Sequence, residues 1–302
     1  HIPYTMLTTD QNQLLHYVSQ TKQHDRALLL VTFGSTYEGP HQTFARLKAT
    51  FAESFPDRDI YMAFTSKFCI RKWKEKTGEE YFTTDKWLEA LGEAGYSSIS
   101  IQSLHVIPGL EYSFIEDRYL PLFHKQFPTI PTTVGVPLLW SKTDIQRVGN
   151  AIYSLFRDRI ERGEALLLMG HGNHTDKYPE ANDRYRQLYD YLQTLSPRIL
   201  VGTVDYESML FDHVAERLAE VAPAGTVLNL LPLMSVAGDH ALNDLAGDEE
   251  EGEPLEEQSW KVRFKAQGYR IDPEHCHMKG LADFASLRQI WVDHLMEAES
   301  KR

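Results

Sequence analysis

The chain states one architecture twice. Residues 27–35 (ALLLVTFGS) are echoed by 165–173 (ALLLMGHGN), 60–66 (IYMAFTS) by 199–205 (ILVGTVD), and 98–101 (SISI) by 227–230 (VLNL). A fourth pair, 133–137 (TVGVP) and 268–272 (GYRID), closes each series. Every run is short, apolar or β-branched, and stops at Gly, Pro or a polar residue. Strands of a parallel sheet covered on both faces read this way, because neither side needs polar residues for solvent. A repeated strand series must build a similar sheet in each half.

Between these runs, Gln42–Ser54, Thr84–Ala94, Asp144–Arg162, Asp183–Leu195 and Leu210–Val221 place apolar residues three and four apart, as amphipathic helices do. Ser141 and Asp144 add a capping signal ahead of the third. Strand alternating with helix in two series predicts an α/β protein. The expected architecture is two similar doubly wound domains with parallel sheets and a ligand cleft between them. Residues 1–26 read as an N-terminal extension, 27–140 as the first domain and 141–302 as the second, with a last helix, Leu281–Glu297, free to cross back.

Composition removes several function classes. The formal net charge is −12, from 43 acidic and 31 basic residues, so a surface that tracks phosphates is not expected and nucleic acid is not an expected partner; an anionic small molecule stays open where positive charge is concentrated locally. No apolar run reaches the roughly 18–20 residues of a membrane span. Cys69 and Cys276 are the only cysteines, too few for a disulfide framework or a four-thiolate zinc site. The chain starts at His1 without an initiator Met. A cytoplasmic protein is the default expectation, and a processed, exported product is the alternative.

In doubly wound sheets ligands sit outside the carboxyl ends of the strands, so the loops there carry the functional reading. Gly170-His171-Gly172-Asn173-His174 follows the first strand of the second half. Its glycines permit a tight turn and leave His171 unshielded, suited to metal ligation or proton transfer near neutral pH. A lone histidine is more often a capping or core group, but other loops add to this one. Met234–Asp244 (MSVAGDHALND) puts His240 past a third strand, with Asp239 beside it to orient the ring, and Asp205-Tyr206-Glu207 follows the second. Two imidazoles with Asp205 or Glu207 make a plausible open site for a divalent metal.

The first half offers His105 after Gln102-Ser103-Leu104, and a basic, aromatic-interleaved stretch, Lys67–Lys74 (KFCIRKWK). Lys67, Arg71 and Lys72 could hold carboxylates of a ligand, with Ser103 and His105 on the same substrate side. The ordinary alternative is a solvated helix face. His275-Cys276-His277 is a weaker metal motif, since adjacent side chains of an extended segment point apart. The run Asp248–Glu251 reads as a solvated loop, and the single glycine of Gly34-Ser35-Thr36 falls short of a phosphate loop.

Taken together, the loops resemble the anaerobic sirohydrochlorin cobaltochelatases of the class II chelatases, which include ferrochelatase. The resemblance is carried by FTS at 64–66 with IRK at 70–72, QSLH at 102–105, GVPLL at 135–139, MGHG at 169–172 and, above all, PLM at 232–234 with VAGDHALND at 236–244. It implies two α/β domains around a tetrapyrrole cleft and a metal site of two histidines and a glutamate. The histidines fall on His171 and His240. The glutamate falls on Asp205, a departure that leaves Glu207 as the other candidate.

The implied activity is insertion of a divalent metal, Co2+ first and Fe2+ or Ni2+ as alternatives, into sirohydrochlorin for tetrapyrrole and cobalamin biosynthesis. The metal is substrate, and no organic cofactor is expected. His171, His240 and His105 are the expected catalytic residues, and a homo-oligomer is expected. The rival readings are a non-catalytic tetrapyrrole or metal carrier and a metallophosphoesterase. The second is disfavoured because the first strand ends Thr32-Phe33-Gly34, without the ligands a two-metal site needs.

Overall fold

Six of the seven strands are almost wholly buried and the fourth, at a sheet edge, is half buried, as strands covered on both faces are expected to be. The computed structural model describes residues 9–173 and 177–301; His174 and the first eight residues of the expected extension lie outside the described residues. β1 (Arg26–Thr32), β2 (Arg58–Phe64), β3 (Ser98–Ser103) and β4 (Thr132–Gly135) form a parallel sheet ordered β2-β1-β3-β4. β5 (Ala165–Gly170), β6 (Ile199–Thr203) and β7 (Leu228–Pro232) form a second, ordered β6-β5-β7. In each, the first strand is central and the next two flank it. The doubly wound, parallel α/β reading of the repeat holds in both sheets.

The chain divides into two units. Residues 9–38, 44–137 and 289–301 of the described chain form unit 1; residues 39–43 and 138–288 form unit 2. Unit 1 contains α1 (Thr9–Thr21), most of α2 (Glu38–Ser54), α3 (Lys67–Thr77), α4 (Thr84–Glu93), α5 (Leu110–Phe114) and α6 (Leu120–Gln126), the last two joined by a π-helical turn, Ile115–Tyr119. Unit 2 contains α7 (Lys142–Glu161), α8 (Pro179–Leu195), α9 (Phe211–Val221) and α10 (Trp260–Ala266). α11 (Ala285–Ser300) belongs to unit 1 from Gln289 onward.

Local chemistry accounts for these elements. α7 starts where Ser141 Oγ accepts the Asp144 N–H and the Asp144 carboxylate accepts the Ser141 N–H, a complete capping box. α3 is capped by Ser66 Oγ and stops at Gly78, whose φ of +81° suits glycine. α1, polar in overall composition, still puts Leu14, Leu15 and Val18 in the interior at helical spacing. Trp291 of α11 is fully buried and donates its indole N–H to the His105 carbonyl at 3.1 Å.

One strand expected from the repeat does not form. Residues 268–272 make an isolated bridge, Val227 to Arg270, in place of a fourth strand in unit 2. Gly268 turns the backbone at φ +94° just before the bridge, and Pro273, which has no N–H to give a ladder, opens a 3-10 turn just after it. Tyr269 and Ile271 are buried nonetheless, so the hydrophobic signal was core packing rather than pairing.

Candidate functional site

In a β6-β5-β7 sheet the chain leaves β5 toward one side and returns to the other, so the topological switch lies between β5 and β7. His171 is the first residue after β5, and His240 stands in the loop after β7, at the start of a π-helical turn, His240–Leu245. Their rings approach edge to face with centroids 4.5 Å apart. Asp205, two residues past β6, puts a carboxylate oxygen 3.5 Å from His171 Nδ1. Three loops of unit 2 thus bring these three side chains to one strand edge.

The backbone forces this meeting. The Asp205 N–H donates to the His171 carbonyl at 2.9 Å, continuing the β5–β6 ladder into the loops. Gly172 has φ +92°, and a Cβ there would stand 2.9 Å from Tyr206 N and 3.3 Å from Asp205 N. Only glycine fits this turn. Beneath it, buried Tyr185 accepts the Gly172 N–H at 3.4 Å, and burial pushes its phenol up to about 12, so it stays protonated. The loop carrying His240 is held by Leu281 N–H to Met234 O at 2.8 Å and Ala282 N–H to Ser235 O at 3.0 Å.

Hydrogen bonding selects the free nitrogen of each ring. His171 Nδ1–H donates to the Gly172 carbonyl at 2.9 Å. His240 Nδ1–H donates to Asp244, one helical turn along. Both imidazoles therefore keep Nε2 as the lone-pair nitrogen, the arrangement of a metal ligand oriented by a second hydrogen bond. The Asp244 hydrogen bond, opposed by burial and aided by the charges of Asp244, Asp239 and Asp205, raises the His240 pKa. Asp239, expected from adjacency to orient His240, instead accepts from Asn243 Nδ2 at 2.8 Å. Neighbouring residues of a helical turn point apart, whereas residues four apart share a face. Glu207 is exposed at the start of a 3-10 turn, Glu207–Met209, and it is Asp205 that meets His171.

In unit 1, Ser103 Oγ accepts the His105 N–H at 3.2 Å and lies 2.7 Å from His105 Nδ1, to which its hydroxyl proton goes. Nε2 then carries the ring proton. It is buried without a hydrogen bond, 3.6 Å from Glu111 Oε2, and Glu111 also accepts from the Thr65 hydroxyl. Glu111 was not singled out from the sequence; it stands six residues past His105, and only the fold shows them together. Lys67, Arg71 and Lys72 are exposed on α3, and Lys72 pairs with Glu75 at 3.4 Å.

Among the described residues, the one set of three ligand atoms gathered within 4.8 Å is Asp272, Glu274 and His275. Its chemistry argues against a metal. His275 Nδ1 accepts the Asp272 N–H at 2.9 Å, so the neutral ring holds its proton at Nε2, 3.7 Å from Glu274. This histidine caps a turn. His277 faces elsewhere, with Nε2 2.9 Å from Asn229 Oδ1, so His275-Cys276-His277 is not one site. His171, His240 and Asp205 are less tightly gathered, and holding a common ion requires their side chains to draw in.

The sequence profile of the cobalt chelatase (CbiK) family matches residues 26–300. The sirohydrochlorin cobaltochelatase of Salmonella typhimurium is 33% identical over 274 residues, 90% of this chain and 96% of that protein. The sirohydrochlorin cobaltochelatase CbiKC of Nitratidesulfovibrio vulgaris is 31% identical over 280 residues, 91% of each chain. Among solved structures, SirB from Bacillus subtilis with Fe3+ is similar in fold, with a TM-score of 0.55 at 14% identity over 91% of this chain and 97% of that one. With the family profile spanning both sheets and both histidine loops, the chain belongs to the cobalt chelatase (CbiK) family.

Proposed function

We propose that this protein is a chelatase that inserts a divalent metal, Co2+ in the first place, into sirohydrochlorin. The observation that supports this most directly is the pair of imidazoles, His171 and His240, which converge at the switch point of unit 2 with Nε2 free on each ring. Neutral imidazoles suit Co2+, Fe2+ and Ni2+ alike and bind them without the grip of thiolates. Asp205, where the family resemblance implies glutamate, is the proposed third ligand. Lys67, Arg71 and Lys72 are proposed to bind carboxylates of the macrocycle, and His105 with Ser103 to contact it in unit 1.

The reaction balances on these groups. The metal exchanges imidazole nitrogens for four macrocycle nitrogens, and two pyrrole N–H protons must leave. Each Nε2 that releases the metal regains a lone pair and can take one such proton. Asp244 stabilises the imidazolium formed on His240. Self-association is proposed too, and sedimentation tests it.

The test is an anaerobic visible-absorption time course with excess sirohydrochlorin and, separately, Co2+, Fe2+ and Ni2+. Conversion of many equivalents supports the chelatase and ranks its metals. A spectral change that halts at one equivalent would mean a carrier on the same scaffold.

A further inference from the structure

Two large aromatic rings of unit 1 stand uncovered where its strands end. Phe33, just past β1, is 53% exposed, and Phe68, in the first turn of α3 past β2, is 55% exposed. β1 and β2 are neighbours, and their loops are tied by Thr65 N–H to Thr32 O at 3.0 Å and Ser66 N–H to Phe33 O at 3.1 Å. Nearby Phe64 and Cys69 turn inward, Phe64 stacking on Tyr81 with centroids 3.9 Å apart. Single exposed apolar residues are ordinary. Two exposed aromatic rings on loops tied together at one strand edge are a less ordinary feature, and one that calls for an occupant.

The surrounding charge says what that occupant carries. Lys67 adjoins Phe68 in sequence, and the Arg71 guanidinium stands 5.7 Å from the Phe68 ring centre. Among the described residues neither cation has an ion-pair partner, although the chain carries 43 carboxylates. Apolar rings beside unpaired cations suit a flat, apolar face with carboxylates at its rim. A second copy of this chain, with its net charge of −12, also presents carboxylates, and sedimentation of the variants tests that occupant.

We infer that Phe33 and Phe68 are the seat for one face of the tetrapyrrole ring, with Lys67 and Arg71 taking carboxylates at its edge. This rests on the chelatase reading above and adds to it the residues that select for a flat macrocycle. The rings act on binding of the macrocycle, and metal affinity is left to the ligands carried by unit 2.

The test titrates metal-free sirohydrochlorin anaerobically into the wild type, a Phe33→Ser/Phe68→Ser double variant, a Phe33→Leu/Phe68→Leu double variant and a Lys67→Gln/Arg71→Gln double variant. Co2+ binding, thermal melting and sedimentation are recorded for each. The serine pair should weaken macrocycle binding about tenfold per ring and raise KM with kcat kept, leaving Co2+ affinity unchanged. The leucine pair should lose less, and the glutamine pair should flatten the salt dependence of binding. A serine pair that folds and binds sirohydrochlorin within twofold of the wild type overturns the inference. If that result comes with a shift to smaller species in sedimentation, the patch is a subunit contact, which overturns it equally. The chelatase reading fails separately, when the wild type binds the macrocycle but never metallates it.

Discussion

His171 and His240 each spend their Nδ1–H on the protein and keep Nε2 for a ligand, so individual side chains carry the sharpest expectations. His171→Ala and His240→Ala should each abolish metallation while melting near the wild-type temperature, since both rings are partly exposed. Asp244→Asn should weaken Co2+ binding by about 10–100-fold, as loss of a ligand-orienting partner does. Asp205→Asn should weaken it more than Glu207→Gln; the reverse order in a Co2+ titration would move the third ligand to Glu207. A different histidine reports on stability. Burial, reinforced by the charge of Arg159, depresses His277 to about 4. Its ordinary pKa is about 6.5, so below that pH the unfolded chain takes the proton first. Its stabilising contribution is therefore complete above pH 6.5 and is lost as pH falls toward 4. Melting curves across that window should show a decline that His277→Gln flattens.

Loops at the ends of strands fix where those side chains stand. Gly172→Ala would meet both an unfavourable φ and the backbone of the Asp205 loop. It should cost about 1–3 kcal/mol in denaturant unfolding and lower activity further by displacing Asp205 from His171. Gly280 plays the same part for the other histidine. A Cβ there would lie 2.3 Å from the Ser235 carbonyl oxygen and from Val236 Cα, in the loop leading to His240. Gly280→Ala should therefore impair Co2+ binding without any change in a ligand, and a variant that binds Co2+ normally would show that the loop has slack.

Across the whole molecule, α11 ties the end of the chain into unit 1, where buried Trp291 holds the carbonyl of His105. Trp291→Ala should cost about 3–5 kcal/mol, the usual range for emptying a buried aromatic site. Hydrogen exchange should then rise in β1–β4 before β5–β7; a uniform rise would mean the two units unfold as one. What the sequence settled by itself was whatever depends on near neighbours. The strand series, most of the helices and the loops bearing His171, Asp205 and His240 follow from periodicity and from glycines at turns, because burial on both faces and helical spacing leave marks within a few residues. α1 escaped because three buried residues suffice to dock a helix whose remaining surface is polar. Asp244 was legible in principle as the fourth residue after His240, but only once that loop is known to be helical. The meeting of Thr65, His105 and Glu111, the hold of Trp291 on His105, and the reduction of 268–272 to a single bridge were decided by tertiary structure. Those contacts join residues brought together by packing, and no local pattern of side chains records which distant partner a hydrogen bond will find.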